Sequence, residues 1–322
     1  MRIRGLGAAK RAGLWARSIV RPGPMILGYH RVAASDWDPQ YLCVSPENFA
    51  AQIEILLERA TPLSLQSLRR GMEDGTRPDK AFVVTLDDGY ADSLEVAAPI
   101  LERYGVPATV FVTTGIIGKP FWWCEVQHLV ENAKVLPEQI SVDVAQHQFR
   151  WFRKADNVGG RGRLIQSLGD LFRVLPFDAQ DEALVLVRRA FGVTDQDESG
   201  VRAMKAEEIS SLMAYDNIEV ASHMVTHTSL NQLSDEAQIA ELRDSKSALE
   251  AIIGKPVESL SYPNGRLNKS SPVLAREAGY TAGCTSREEL AARSCDPLLL
   301  PRIWIGDWGA ERFASWLRRW RF

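Results

Sequence analysis

Two short runs hold residue types that can do chemistry together. Thr85-Leu86-Asp87-Asp88-Gly89-Tyr90 offers adjacent carboxylates, and Ser222-His223-Met224-Val225-Thr226-His227 offers two imidazoles four residues apart. One aspartate and two histidines form a mixed oxygen and nitrogen ligand set suited to a divalent ion such as Zn2+, with a position left open for water. That is the composition of a catalytic metal site, and it leaves the second carboxylate free to accept a proton. Taken singly, Asp-Asp-Gly is also a solvated turn, and a histidine pair is also a surface or satisfied core feature. The conjunction favours metal: a strand-like stretch leads into each run, Ala81-Phe82-Val83-Val84 and Ile218-Glu219-Val220, and two of only five histidines fall here.

The positions of these groups follow from the elements that carry them. Side chains leave a strand in alternate directions, so neighbouring aspartates at a strand's exit can face different tasks once Gly89 turns the chain. The four-residue histidine spacing predicts one shared face if the segment turns helically after its strand. Met25 to Tyr29 reads as a first strand, helices are predicted over 45–59 and 64–72, and Ser93 to Tyr104 reads as an amphipathic helix ended by Gly105 before a strand at 107–113. Strand, acidic motif, helix and strand in this order predict a parallel, barrel-like α/β sheet with its chemistry on the carboxyl-terminal rim. After about residue 200 the pattern resumes with a helix over 205–214, the strand at Ile218, a long helix from Ser234 to Ile253 stopped by Gly254, and strands near 259–262, 281–284 and 300–305.

Between about 119 and 200 the pattern changes to a helix over 121–134, a hairpin of 140–144 with 147–152, and two helices over 164–174 and 181–191. This reads as an α+β insertion, entering after one barrel strand and returning before the histidine strand, where lids and substrate walls are built. Trp122, Trp123 and Trp151 within it are candidate stacking rings for a substrate, with core packing as the alternative for at least one.

A chain of 322 residues has room for one large α/β domain with an insertion. Its formal charge of -3 gives no reason to expect a nucleic-acid partner. The four cysteines, Cys43, Cys124, Cys284 and Cys295, lack metal-knuckle spacing and read as free thiols of a reducing compartment. Residues 1–24 are basic, with Arg2, Arg4, Lys10, Arg11, Arg17 and Arg21, and lack the continuous apolar core of a secretory signal. Leu6 to Val20 fits either a solvated tail or an amphipathic helix lying on an anionic leaflet, so the expected location is the cytoplasm or the inner face of its membrane. Nothing in the sequence bears on oligomeric state.

The motifs together resemble the polysaccharide deacetylases with a NodB-homology domain, carbohydrate esterase family 4. Thr85 to Gly89 looks like that family's first motif, His223 to Thr228 its second, and Ser261-Tyr262-Pro263-Asn264-Gly265 its third, with Leu86, Met224 and Asn264 departing from the usual residues. The resemblance spans roughly 25–120 and 200–305 and implies an irregular (β/α) barrel over 25–322, interrupted by the insertion. Carried over by position, it makes Asp87 the catalytic base and Asp88, His223 and His227 the ligands of one divalent metal, with Zn2+ preferred. The turn Tyr262-Pro263-Asn264-Gly265 would supply an oxyanion donor at the Asn264 N–H, and Arg302 is counted with these substrate-facing groups or, like Arg31, as a holder of a neighbouring carboxylate. No histidine follows His227, but Gly28-Tyr29-His30-Arg31 resembles the branch in which the acid-bearing strand comes first, which implies His30 as the general acid. The implied reaction is removal of acetyl from an N-acetylhexosamine, foremost N-acetylglucosamine, in an oligo- or polysaccharide. An O-acetyl sugar esterase and a glycan-binding module without turnover remain the alternatives.

Overall fold

The computed structural model describes residues 23–78, 80–153, 160–193 and 200–322. The basic segment over 6–20 lies outside them. The chain forms two compact units, one of residues up to Ile117 together with Met204–Phe322, the other Gly118–Ala203.

In the larger unit the strands are β1 (Met25–Tyr29), β2 (Arg31–Val32), β3 (Cys43–Val44), β4 (Thr61–Pro62), β5 (Ala81–Leu86) and β6 (Ala108–Val112) before the second unit. The second unit holds β7 (Gln139–Val144) and β8 (His147–Phe152), and β9 (Ile218–Ser222), β10 (Ser259–Ser261), β11 (Ala282–Cys284) and β12 (Ile303–Trp304) follow it. The main sheet is parallel in the order β11-β10-β9-β6-β5-β1-β12, with β4 pairing on β5. Its two ends approach through one segment: Leu300, just ahead of β12, bridges Cys284 of β11, with Thr285 N–H donating to Leu300 O at 2.7 Å and Leu300 N–H to Gly283 O at 2.8 Å. The result is the curled parallel sheet that the strand–motif–helix order predicts.

Successive strand residues divide between two cores. Ile26, Val83, Phe111, Ala221, Ala282 and Leu300 fill the inside of the curl, while Leu27, Val84, Val110, Val220 and Leu260 pack outward with the helices. Both faces are buried, which is why these strands read as continuous apolar runs rather than as alternating ones. The same period of two carries inward from Val83 to Thr85 and Asp87, and from Leu300 to Arg302, so polar residues arrive inside the rim by register.

The helices are Pro46–Leu57, Leu65–Glu73, a π-helical turn Ser93–Ala97 running into Ala98–Tyr104, Ala206–Ser211, Asp235–Ile253, Ser271–Glu277 and Ala310–Leu317. Asp235–Ile253 starts at Ser234, whose hydroxyl accepts from Ala237 N–H at 3.3 Å, and stops at Gly254 with φ 68°. No helix of the described residues is long and apolar enough to cross a membrane.

The smaller unit builds its own core. Helices Trp122–Asn132, Gly160–Phe172 and Phe177–Ala190 accompany the antiparallel β7–β8 hairpin, and Val126, Val130, Ile140, Val142, Leu164, Leu168 and Val187 are buried there. Arg188 Nη2 and Glu125 Oε2, 2.7 Å apart, form one arm of a partly buried ion pair. Trp123 is 8% exposed and packs edge-on against Trp122, which stacks on Phe172 with centroids 4.7 Å apart. Burial removes Trp123 from the candidate sugar platforms, whereas Trp122 and Trp151 stay partly exposed.

Candidate active site and metal centre

β5 ends at Leu86, and the Asp87 N–H extends the ladder to Tyr29 O at 2.9 Å. Asp88 and Gly89 then take φ 73° and 81°, two left-handed residues in succession. Aspartate tolerates this region better than most residues and glycine adopts it freely. A Cβ at Gly89 would also lie 3.1 Å from Val112, so the sharp turn and the close approach both call for glycine. This turn sends the two carboxylates to different partners.

Asp87 is gripped from the side by Arg302. Nη1 meets Oδ1 at 2.6 Å and Nη2 meets Oδ2 at 2.7 Å, while the Ser261 hydroxyl donates to Oδ2 at 3.1 Å. Arg302 is fully buried; its remaining donors go to Thr285 O, Thr85 Oγ1 and Ser261 Oγ, and its guanidinium lies 4.6 Å from the Trp304 ring centroid. Burial alone would raise the Asp87 pKa, but the Arg302 charge and hydrogen bonds outweigh it and hold the carboxyl well below the usual range. Of the two arginines considered as carboxylate holders, Arg302 therefore serves Asp87, and Arg31 pairs with Asp92 at 2.9 Å. With every donor committed inside the protein, Arg302 does not belong among substrate-facing groups.

Asp88 faces the histidines. Its Oδ1 lies 3.3 Å from His227 Nε2 and 3.5 Å from His223 Nε2. His223 Nδ1 is 2.8 Å from Ser261 O, a carbonyl that only accepts, so Nδ1 carries the proton and the Nε2 lone pair points toward the aspartates. Burial pushes the His223 pKa down to about 4 despite the nearby Asp87 and Asp88 charges, so the ring is neutral near pH 7. Burial opposes ionisation of Asp88 too, but the His227 imidazole outweighs it and the pKa falls.

The histidine run is not helical, contrary to the expectation from its spacing. Met224 and His227 have φ 65° and 60°, and the rings still come within 5.0 Å of each other, inclined by 61°. Main-chain bonds from β9's neighbours set this path: His223 N–H to Val112 O at 2.8 Å, Thr114 N–H to Met224 O at 3.0 Å and Gly115 N–H to Val225 O at 2.8 Å.

A divalent cation fits these three residues. One donor atom from each of Asp88, His223 and His227 lies within 4.8 Å of the others, and Asp88 Oδ1 is buried without a hydrogen-bond partner. Buried carboxylate oxygens are rarely left so. The separations of 3.3 and 3.5 Å from Oδ1 to the imidazole nitrogens are close to the edge of a tetrahedron with ~2.1 Å bonds, about 3.4 Å.

His30 directly follows β1. Its ring stacks on Trp304 with centroids 4.4 Å apart and planes 14° apart. Trp304 has room because position 28 is glycine: a Cβ there would be 2.8 Å from the indole. Enclosure lowers the His30 pKa, opposed by the charges of Asp88 and Asp87.

The third motif divides. Tyr262 and Pro263 are buried, which corrects their expected contact with substrate, whereas Asn264 is exposed and Gly265 partly so. Asn264 and Gly265 take φ 57° and 62°, and Asn264 Nδ2 donates to Ser229 Oγ at 3.2 Å. Three positions carry more than their residue types announced. Ser261 orders both His223 and Asp87, Trp304 lies under His30, and Glu241 holds the histidine loop. Of the three, only Ser261 carried a signal, as the first residue of the third motif.

Residues 74–147 and 191–283 match the family model described as polysaccharide deacetylase. The polysaccharide deacetylase homologue YxkH of Bacillus subtilis (strain 168) is 23% identical over 282 residues, covering 86% of this chain and 70% of that protein. Among solved structures, the Streptococcus pyogenes deacetylase PplD in complex with acetate superposes with a TM-score of 0.59 at 20% identity, over 92% of this chain and 98% of that one. IcaB from Ammonifex degensii gives 0.61 at 17% identity, over 92% and 97%. These two likenesses establish the fold, and the family model, matching more than half of the 322 residues, establishes that the chain belongs to the polysaccharide deacetylases, a family of hydrolases.

Proposed function

We propose that the protein removes N-acetyl groups from an N-acetylhexosamine-containing glycan with the help of one divalent metal held by Asp88, His223 and His227. The observation that carries this reading is the buried, unpartnered Asp88 Oδ1 set between two imidazole nitrogens. A cation bound there, foremost Zn2+, would supply Lewis acidity toward the acyl oxygen and the attacking water. Asp87 stays ionised and accepts a proton from that water. Its Oδ1 takes one hydrogen bond from Arg302, which leaves a lone pair for this purpose. As the C–N bond breaks, His30 in its imidazolium form hands its proton to the departing nitrogen and becomes neutral, and acetate and a free amine result. The Asn264 N–H is assigned to the oxyanion. Within Gly118–Ala203, Trp122 and Trp151 are assigned as sugar-stacking rings.

The test is incubation of the metal-loaded protein with matched N-acetylated and O-acetylated oligosaccharides, quantifying acetate and new amine. The reading expects acetate with an equal amount of amine from the N-acetylated set. Release from O-acetylated sugars alone would make the protein an esterase, and no release from either despite bound metal would favour a glycan-binding module.

A further inference from the structure

Glu241 sits on helix Asp235–Ile253, outside every motif discussed above, yet it contacts the loop that bears both histidines. Its Oε2 accepts from Val225 N–H at 2.7 Å and from Thr226 N–H at 3.1 Å, and its Oε1 accepts from the Thr226 hydroxyl at 2.6 Å. The Thr226 hydroxyl in turn shares a hydrogen bond with the Thr228 hydroxyl at 2.8 Å and accepts from Thr228 N–H at 3.3 Å, on the far side of His227.

The loop needs such a hold. Met224 and His227 lie in the left-handed region, which is unfavourable for a non-glycine residue unless its surroundings impose it. The carbonyls of Met224 and Val225 are fixed on one side by Thr114 and Gly115. The next two amides would otherwise have to seek water or a different backbone path. A carboxylate is the one acceptor that takes two amides and a hydroxyl at once, and each bond to its charge is stronger than a neutral one.

We propose that Glu241 is a positioning residue for the metal site, acting through the backbone of 225–226 and through Thr226 to hold His227 against Asp88. This rests on the metal reading above. Groups that orient ligands in this way typically change metal affinity about 10- to 100-fold when removed.

The test is calorimetric titration of Zn2+ into the metal-free full chain, for the parent, Glu241→Ala, Thr226→Val and Glu250→Gln. Glu250 is the control: it lies on the same helix and accepts from Val257 N–H at 3.0 Å, away from the histidines. Glu241→Ala should weaken Zn2+ binding about 10- to 100-fold at unchanged stoichiometry, Thr226→Val should weaken it less, and Glu250→Gln should match the parent in affinity even where its melting temperature falls. Parent-like affinity in Glu241→Ala overturns the inference, as does an equal loss in Glu250→Gln, which would mark a general effect of the helix. Should Glu241→Ala not fold, Thr226→Val decides, and parent-like affinity there overturns the inference. A parent that binds no Zn2+ refutes the metal reading instead.

Discussion

Asp87 and Arg302 are joined by two parallel hydrogen bonds of 2.6 and 2.7 Å in full burial, 215 positions apart in sequence. The pair ties β12 to the end of β5, so the residue assigned as proton acceptor is also a tie across the sheet. Removing one partner of a buried pair strands the other charge. Arg302→Gln should therefore destabilise the fold by about 3–5 kcal/mol, read as a shift in urea midpoint. Arg302→Lys should recover only part of this, because an ammonium cannot make the two-pronged contact.

The opposite end of β9 carries a different carboxylate. Glu219 accepts from the hydroxyls of Ser259 at 2.5 Å and Thr109 at 3.1 Å, and burial raises its pKa above that of a free glutamate. A raised folded-state value means that its contribution is fully present below the unfolded pKa, about 4.3, and is lost as pH rises through the higher folded value. Glu219→Gln keeps the size and removes the buried charge. The variant should gain stability over the parent at pH 7 and show no gain at pH 4 in paired urea titrations. A constant difference at both pH values would show that the charge is not what matters.

Because His30, the residue assigned as proton donor, rests on Trp304 rather than within the three-residue cluster, its removal can separate that role from metal binding. His30→Ala should retain one equivalent of metal and the parental melting temperature while losing about 100-fold or more in rate on amides. Esters, whose leaving groups need less protonation, should lose much less. Equal losses on both substrates, or none on either, would take His30 out of the mechanism.

Asp87→Asn should keep metal content and lower kcat by about a hundredfold to ten-thousandfold, the usual range for a general base. The change also weakens the contact with Arg302, so the urea midpoint is measured alongside, and near-normal kcat would assign the proton to another group.

Much of this was legible in the residues. The apolar runs Met25–Tyr29 and Ala81–Val84 are strands because both of their faces are buried, and the Asp-Asp-Gly turn lies where a parallel sheet presents its ligands. Ser234 and Gly254 bound the long helix through local chemistry alone. The path of His223–His227 was not legible, because its left-handed residues are imposed by Val112, Thr114, Gly115 and Glu241, partners 15 to 111 positions from the residues they bond, which no local pattern names. Arg302 was ambiguous for the same reason: the pairing of β12 with β1 and the bridge of Leu300 to Cys284 together fix which way that strand faces.

Asp88, His223 and His227 are proposed as the ligands of a single divalent metal. Elemental analysis after equilibration with Zn2+ and gel filtration tests this assignment most directly, on the parent and on the His223→Ala/His227→Ala double variant. The parent should hold one equivalent per chain and the double variant none, with both proteins folded by circular dichroism. A full equivalent retained in the double variant, or none in the parent, would contradict it.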